Sequence, residues 1–214
     1  MPNYSFNYIV VEGEEVLKFK EFAMPKKQVK EESEVIDFNN FIPYPEEEQR
    51  KELINYHAYR LKTLNKPFKK QTKEEYYAEN KIDEQMKKEI MLCNLDDENY
   101  LLGFMGWHSL NWGTKWNACY SSVVLVDNTT LLYRFDTAWS PPLPVFSKMS
   151  ELFPNLTFTM LYGEEGMFFS GYIRMKGNQI LDDCHSKYKN NWNYPIMFMK
   201  KYKLTKLEKH IKGE

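Results

Sequence analysis

Ser5 to Val11 (SFNYIVV) is a short, β-branched apolar run closed by Gly13, and it predicts a first strand. From Glu14 to Met24 the period changes. Val16, Leu17, Phe19, Phe22 and Ala23 fall near one helical face, acidic residues lead, and Pro25 stops the run. Strand followed by helix is half of a βαβ unit. Lys26 to Glu34 is a charged surface loop. Val35 to Tyr44 (VIDFNNFIPY) reads as an irregular edge strand, because Pro43 cannot donate to a ladder. Pro45 then opens a helix, with Glu46 to Glu48 favourable at its N-terminal dipole. Between Glu46 and Leu95 the spacing stays helical. One stripe is Leu53, Ile54, His57, Leu61 and Leu64, ended by Asn65 and Pro67. Thr72 with Glu75 forms a capping-box pattern for a second helix, whose stripe is Ile82, Met86 and Ile90. The pair predicts a helical hairpin inserted at 46–95.

Trp107 to Pro142 follows, holding four of the five tryptophans. Trp116 to Val126 and Leu131 to Thr137 read as strands joined across Asp127-Asn128, a strong turn pair. Ser140-Pro141-Pro142 caps a helix from Leu143 to Phe153, with Val145, Met149 and Leu152 inward. Leu156, Phe158, Met160 and Tyr162 alternate as a half-buried strand, and Met167 to Met175 forms the next, with Gly171 marking a bulge. Gln179 to Tyr194 is polar and reads as a loop. Leu204, Leu207 and Ile211 recur at helical spacing in a lysine-rich tail. The order predicts an α+β fold: a ferredoxin-like antiparallel sheet, a split βαβ with extra hairpin strands, over 1–45 and 96–178. The loop and basic tail occupy 179–214.

Hydrophobic residues at 43% supply a real core, and aromatics at 16% leave rings for a surface where an apolar body meets a polar rim. The net charge of −1 excludes a basic footprint along a whole face, so any nucleic-acid contact must be local. Cys93, Cys119 and Cys184 are odd in number and widely spaced, which suits reduced thiols. With no apolar run near the length of a bilayer span and no basic leader ahead of an apolar segment, a cytoplasmic protein without membrane contact is expected.

Trp107, His108, Trp112, Lys115, Trp116 and Trp139 crowd one loop and two strand ends. Two readings stand side by side. The six form a partner-binding platform, with Lys115 for a phosphate or carboxylate; or the rings form a small core that pins the loop, Gly113 allowing its turn. Lys200, Lys201, Lys203, Lys206 and Lys209 concentrate charge in the tail, where they would meet nucleic acid or an acidic protein patch, or else solvate an amphipathic helix. Gly113-Thr114-Lys115 lacks the spacing of a phosphate loop. Asp182-Asp183-Cys184-His185 lacks the second ligand cluster that tetrahedral zinc needs, so no metal or cofactor is expected. His57, on an apolar stripe, reads as a core histidine bonded to backbone. Glu164 and Glu165 sit on a hairpin turn, and no nucleophile has a base beside it in sequence.

The motifs in order are Asn3…Asn7, Phe41-Ile42-Pro43-Tyr44-Pro45-Glu46, Asn111-Trp112-Gly113-Thr114-Lys115-Trp116-Asn117-Ala118, and Thr137-Ala138-Trp139-Ser140-Pro141-Pro142. Phe153-Pro154, Tyr162-Gly163-Glu164-Glu165-Gly166 and Gly171 follow. Over residues 3–178 this pattern resembles the YubB-like proteins of plasmids and phages. It departs at Tyr4-Ser5-Phe6-Asn7, where the family has a Trp-Cys-Ser-Asn run, and in the tail beyond 195. The resemblance implies a ferredoxin-like sheet and a mobile-element origin, without an activity. The expected function is therefore non-enzymatic: a phage or plasmid accessory protein that binds a host protein, such as a defence or nucleic-acid-handling enzyme, and inhibits it. The alternative is RNA or single-stranded DNA binding by sheet aromatics (Tyr120, Tyr133, Phe135, Phe158, Phe168, Phe169, Tyr172) and the basic tail. An enzyme using Glu164 or His108 for proton transfer is a third.

Overall fold

The N-terminal apolar run forms strand β1 (Tyr4–Glu12), and helix α1 (Val16–Ala23) follows after the turn at Gly13. The chain is described by a computed structural model over residues 3–26, 34–63, 71–93, 106–164, 166 and 169–186. After α1 come a 3₁₀ turn (Phe38–Asn40) and helices α2 (Glu46–Thr63), α3 (Lys73–Glu79), α4 (Glu84–Leu92) and α5 (106–111). Strands β2 (Cys119–Asp127) and β3 (Thr130–Ala138), helix α6 (Leu143–Leu152), and strands β4 (Thr157–Glu164), β5 (Phe169–Lys176) and β6 (Gln179–Ser186) complete the described order.

The strands form one sheet in the order β2-β3-β1-β4-β5-β6, antiparallel throughout. The connection through α1 leaves a gap between β1 and β2 that β3 fills, and the connection through α6 leaves a gap between β3 and β4 that β1 fills. Two interlocked split βαβ units of this kind are the ferredoxin-like arrangement, here widened by the β5–β6 hairpin. The fold class is the one the sequence predicts.

Register decides which side chains become core. Ile9 lies opposite Tyr133 and Met160, and Val11 opposite Leu131 and Phe158. Strand alternation therefore sends these six to one face, where all are fully buried. From α1, the Phe19 ring meets Tyr133 edge-on at 5.8 Å and Phe158 at 5.1 Å; from α6, Phe146 meets Phe158 at 6.3 Å. On the opposite face Val10, Leu132, Leu161 and Tyr172 form a second buried cluster, with Tyr8, Val126 and Cys184 packed against it. Tyr133, Phe135 and Phe158, offered by the sequence for base stacking, are thus core residues that touch helices.

Four expectations are corrected. Val35 to Tyr44 is not a strand. The Asp37 carboxylate accepts from Asn39 N–H, and the Asn117 side-chain oxygen accepts from Phe38 N–H, so side chains take the donors a ladder would need. Gln179 to Ser186 is not a loop but strand β6. Gly177 (φ 55°) and Asn178 (φ 62°) form a tight hairpin turn that folds it onto β5, and an edge strand tolerates polar residues. Gly171 does not mark a bulge: it pairs in register with Tyr162, and a Cβ there would lie 2.6 Å from the Tyr162 hydroxyl. The register slips at Arg174/Met175 instead. Nor does Ser140 cap α6; its hydroxyl donates to the Gly113 carbonyl at 2.5 Å.

The chain divides into two compact units, Met1–Pro43 with Ser109–Glu214, and Tyr44–His108. The second has its own core of Ala58, Tyr76, Ile82 and Ile90, with Ile54, Leu61 and Met86 against it. The single second helix expected there is two. Lys81 takes a left-handed φ of 53° after α3, and Asp83 restarts the chain by accepting from Met86 N–H at 2.7 Å. His57 is a core histidine, but its partner is the Tyr76 hydroxyl, 2.8 Å from Nδ1, and burial lowers its pKa.

Candidate functional site

The segment from Trp112 to Ala118 is pinned from several sides. Trp112 is only 2% exposed; its indole N–H donates to the Ile42 carbonyl at 2.8 Å, and its ring meets Phe38 edge-on at 5.7 Å. The buried Thr114 hydroxyl donates to the Ala138 carbonyl at 2.9 Å. Gly113 adopts φ 80° against the start of α6, where a Cβ would stand 2.6 Å from Pro144 Cδ. This frame presents Lys115 and Trp116, both half-buried, beside Trp139.

Trp139 is 40% exposed and held at φ 66°, its N–H donating to the Asn3 carbonyl at 2.9 Å. The Lys115 ammonium lies 4.9 Å from the Trp139 ring centroid and 5.6 Å from that of Trp116. Both distances are within the range in which a ring's negative face attracts a cation. Tyr120 sits where the β2 register slips between Cys119 and Ser122; it is 64% exposed and also has a positive φ, 52°. Tyr4, the β1 residue opposite Ala138, meets Tyr120 edge-on at 5.8 Å. A hydrogen bond between their hydroxyls raises the Tyr4 pKa. Trp116 hydrogen-bonds the Cys119 side chain, whose thiol is raised by burial and donates to the Asp136 carbonyl at 3.3 Å. Burial likewise raises the Asp136 carboxyl, with Arg134 opposing.

Positive φ in a bulky aromatic residue costs on the order of 1–3 kcal/mol and persists only where neighbours over-determine it. Here two exposed aromatic residues carry it on adjoining strand ends. Chemically, the cluster offers π faces, two phenol hydroxyls and one ammonium on a rigid base. Such a surface suits binding.

The six residues grouped by the sequence separate into three sets. Lys115, Trp116 and Trp139 come together at the surface. Trp112 belongs to the core beneath them. Trp107 and His108 lie in the second unit against Tyr44, with ring centroids 4.9 and 4.2 Å away. There burial raises the Glu52 carboxyl and drives up the pKa of the Tyr44 hydroxyl. The tail lysines Lys200, Lys201, Lys203, Lys206 and Lys209 lie outside the described residues, as do Glu165 and Phe168. Tyr4 is a site residue that the sequence reading does not name, and Tyr120 enters that reading only among the sheet aromatics available to stack bases. Strand alternation could have set Tyr4 apart from the buried Ser5 and Asn7, whereas the slip at Tyr120 has no signature in sequence.

On β6, alternation splits the Asp-Asp-Cys-His run. Cys184 lies opposite Tyr172 and Asp182 opposite Arg174, while Asp183 and His185 point to the other face. Among the described residues no three His, Cys, Asp or Glu side chains are grouped to hold a metal. Glu164 is buried at the end of β4 and accepts from Gly166 N–H at 2.8 Å.

Fold and site together define an α+β protein with a ferredoxin-like sheet that presents aromatic rings around a lysine. Residues 111–203 match the family model described as the ferredoxin-like domain in Api92-like protein, a span that contains β2 through β6. Among solved structures, the crystal structure of a protein api92 from Yersinia pseudotuberculosis is similar at 9% identity. The alignment covers 89% of this chain and 99% of that chain, with a TM-score of 0.46. No curated protein matches. No helix among the described residues is long and apolar enough to cross a membrane.

Proposed function

We propose that this chain is a YubB-like, non-enzymatic accessory protein of a phage or plasmid. It acts in the cytoplasm by occupying the surface of a host protein, with a defence or nucleic-acid-handling enzyme as the expected target. The supporting observation is the pair of exposed aromatics, Tyr120 and Trp139, held at positive φ beside Lys115 and Trp116. Rigid aromatic rings on a fixed scaffold make strong contacts because little side-chain freedom is lost on docking. The ordered motifs around Trp112 and Trp139 support the mobile-element origin.

The test is affinity purification from host lysate with the wild-type chain and Trp139→Ala, both confirmed folded by circular dichroism. A stoichiometric protein retained by the wild type and lost with Trp139→Ala is expected. Retention of the same protein by both chains would move the contact elsewhere. Recovery of nucleic acid alone, weakening steeply with salt, would replace this reading with the RNA or single-stranded DNA one.

A further inference from the structure

The ligand class of this surface can be argued from what already sits in it. The Lys115 ammonium stands over two indole faces at 4.9 and 5.6 Å, so the site holds a cation supplied by its own chain. A ring face bears negative potential at its centre and its attraction for ammonium or guanidinium strengthens when water is partly excluded. Acidic side chains bond to residues of the same stretch, 117–121. The Glu34 carboxylate accepts from both the backbone N–H and the hydroxyl of Ser121, Asp37 accepts from the Asn117 amide at 2.8 Å, and Asp136 lies opposite Cys119. The Tyr4 and Tyr120 hydroxyls add acceptors at the rim. Ring faces that already hold an ammonium complement a basic side chain, not a phosphate.

We infer that the Trp116–Trp139 pair is a receptor for an arginine or lysine side chain of the partner protein, and that Lys115 is an internal occupant which the partner's cation displaces. This rests on the binding function proposed above and changes the role of Lys115, from a contact for an anion to a competitor. Lys115 can leave without unfolding the turn, because the turn is fixed by Trp112, Thr114 and Ser140. The arrangement weakens binding to isolated cations and favours a partner that brings a cation together with further contacts.

The experiment is calorimetric titration of the full chain with N-acetyl-arginine amide, with trimethyllysine amide, and with an acidic control peptide. Lys115→Met, which keeps the aliphatic stem and removes the charge, is expected to bind both cations about 2- to 30-fold more tightly than the wild type, the range expected of one cation–ring contact. Lys115→Arg, which keeps an internal cation, stays at the wild-type level. Adding Trp139→Ala to Lys115→Met returns affinity to that level or below. Unchanged cation affinity in Lys115→Met would overturn the inference, as would binding of the acidic peptide or a single-stranded oligonucleotide that requires Lys115. If Lys115→Met unfolds, a Trp139 indole N–H resonance in the wild type that does not move with the arginine probe at millimolar concentration overturns it as well. A Trp139-dependent partner that binds Lys115→Met no more tightly removes this inference alone; a partner indifferent to Trp139 removes the proposed function with it.

Discussion

Replacing Tyr133 by Phe should stabilise the sheet-containing unit. Tyr133 is fully buried on β3, its ring packed edge-on against Phe19, and its hydroxyl has no hydrogen-bond partner among the described residues. Burial drives the phenol pKa far above its ordinary value, another expression of the same dry environment. In the unfolded chain that hydroxyl is hydrated, so folding strips it at about 1–3 kcal/mol with no bond in return. Phe avoids this and forfeits only the dispersion contacts of one oxygen, about 0.1–0.2 kcal/mol each for a handful of neighbours. The net expectation is about 1 kcal/mol of added stability, or roughly 2–4 °C for a chain of this size. Because the chain divides into two compact units, the measurement is urea-dependent hydrogen exchange at the β3 amides, not a global signal. Tyr172→Phe is the control. Its hydroxyl donates to Asp182 at 3.2 Å, so its loss should destabilise by about 1 kcal/mol. Destabilisation of Tyr133→Phe by 1 kcal/mol or more would refute the reasoning and show that the hydroxyl has a partner, such as a buried water.

Gly113→Ala should lower stability by about 2–4 kcal/mol, combining left-handed strain with the displacement of Pro144 Cδ; thermal unfolding together with the Trp139 indole resonance would show the turn and site disturbed as one. Trp112→Phe removes the bond to Ile42 and leaves a void, for about 2–3 kcal/mol by chemical denaturation, without loss of the surface pair Trp116 and Trp139. His57 titrates below its unfolded value of about 6.5, so the native state binds fewer protons than the unfolded one. Its contribution is fully present above that value and is lost as pH falls through it toward the folded pKa. Protection factors of the α2 and α3 amides, corrected for the intrinsic pH dependence of exchange, should therefore fall between pH 7 and 5, and His57→Gln should flatten the dependence.

The alternation of Leu156 to Tyr162, the helical spacing of Val16 to Ala23 and the turn at Asp127-Asn128 are local, and a period of two or of 3.6 residues is visible wherever one face of an element is buried. Those signals determined the α+β class and the inner face of most elements. β6 was illegible because an edge strand needs little apolar content, and its hairpin turn at Gly177-Asn178 was the only mark it left. Phe38 to Asn40 looked extended because side chains from Asp37 and distant Asn117 take its donors, a contact that spacing cannot express. The same limit governs the site. Sequence collected six residues by proximity along the chain, but burial of Trp112, the separate unit holding Trp107 and His108, and the arrival of Tyr4 from β1 depend on strand order. Which rings face solvent is set by what packs beneath them, and only the assembled sheet brings that together.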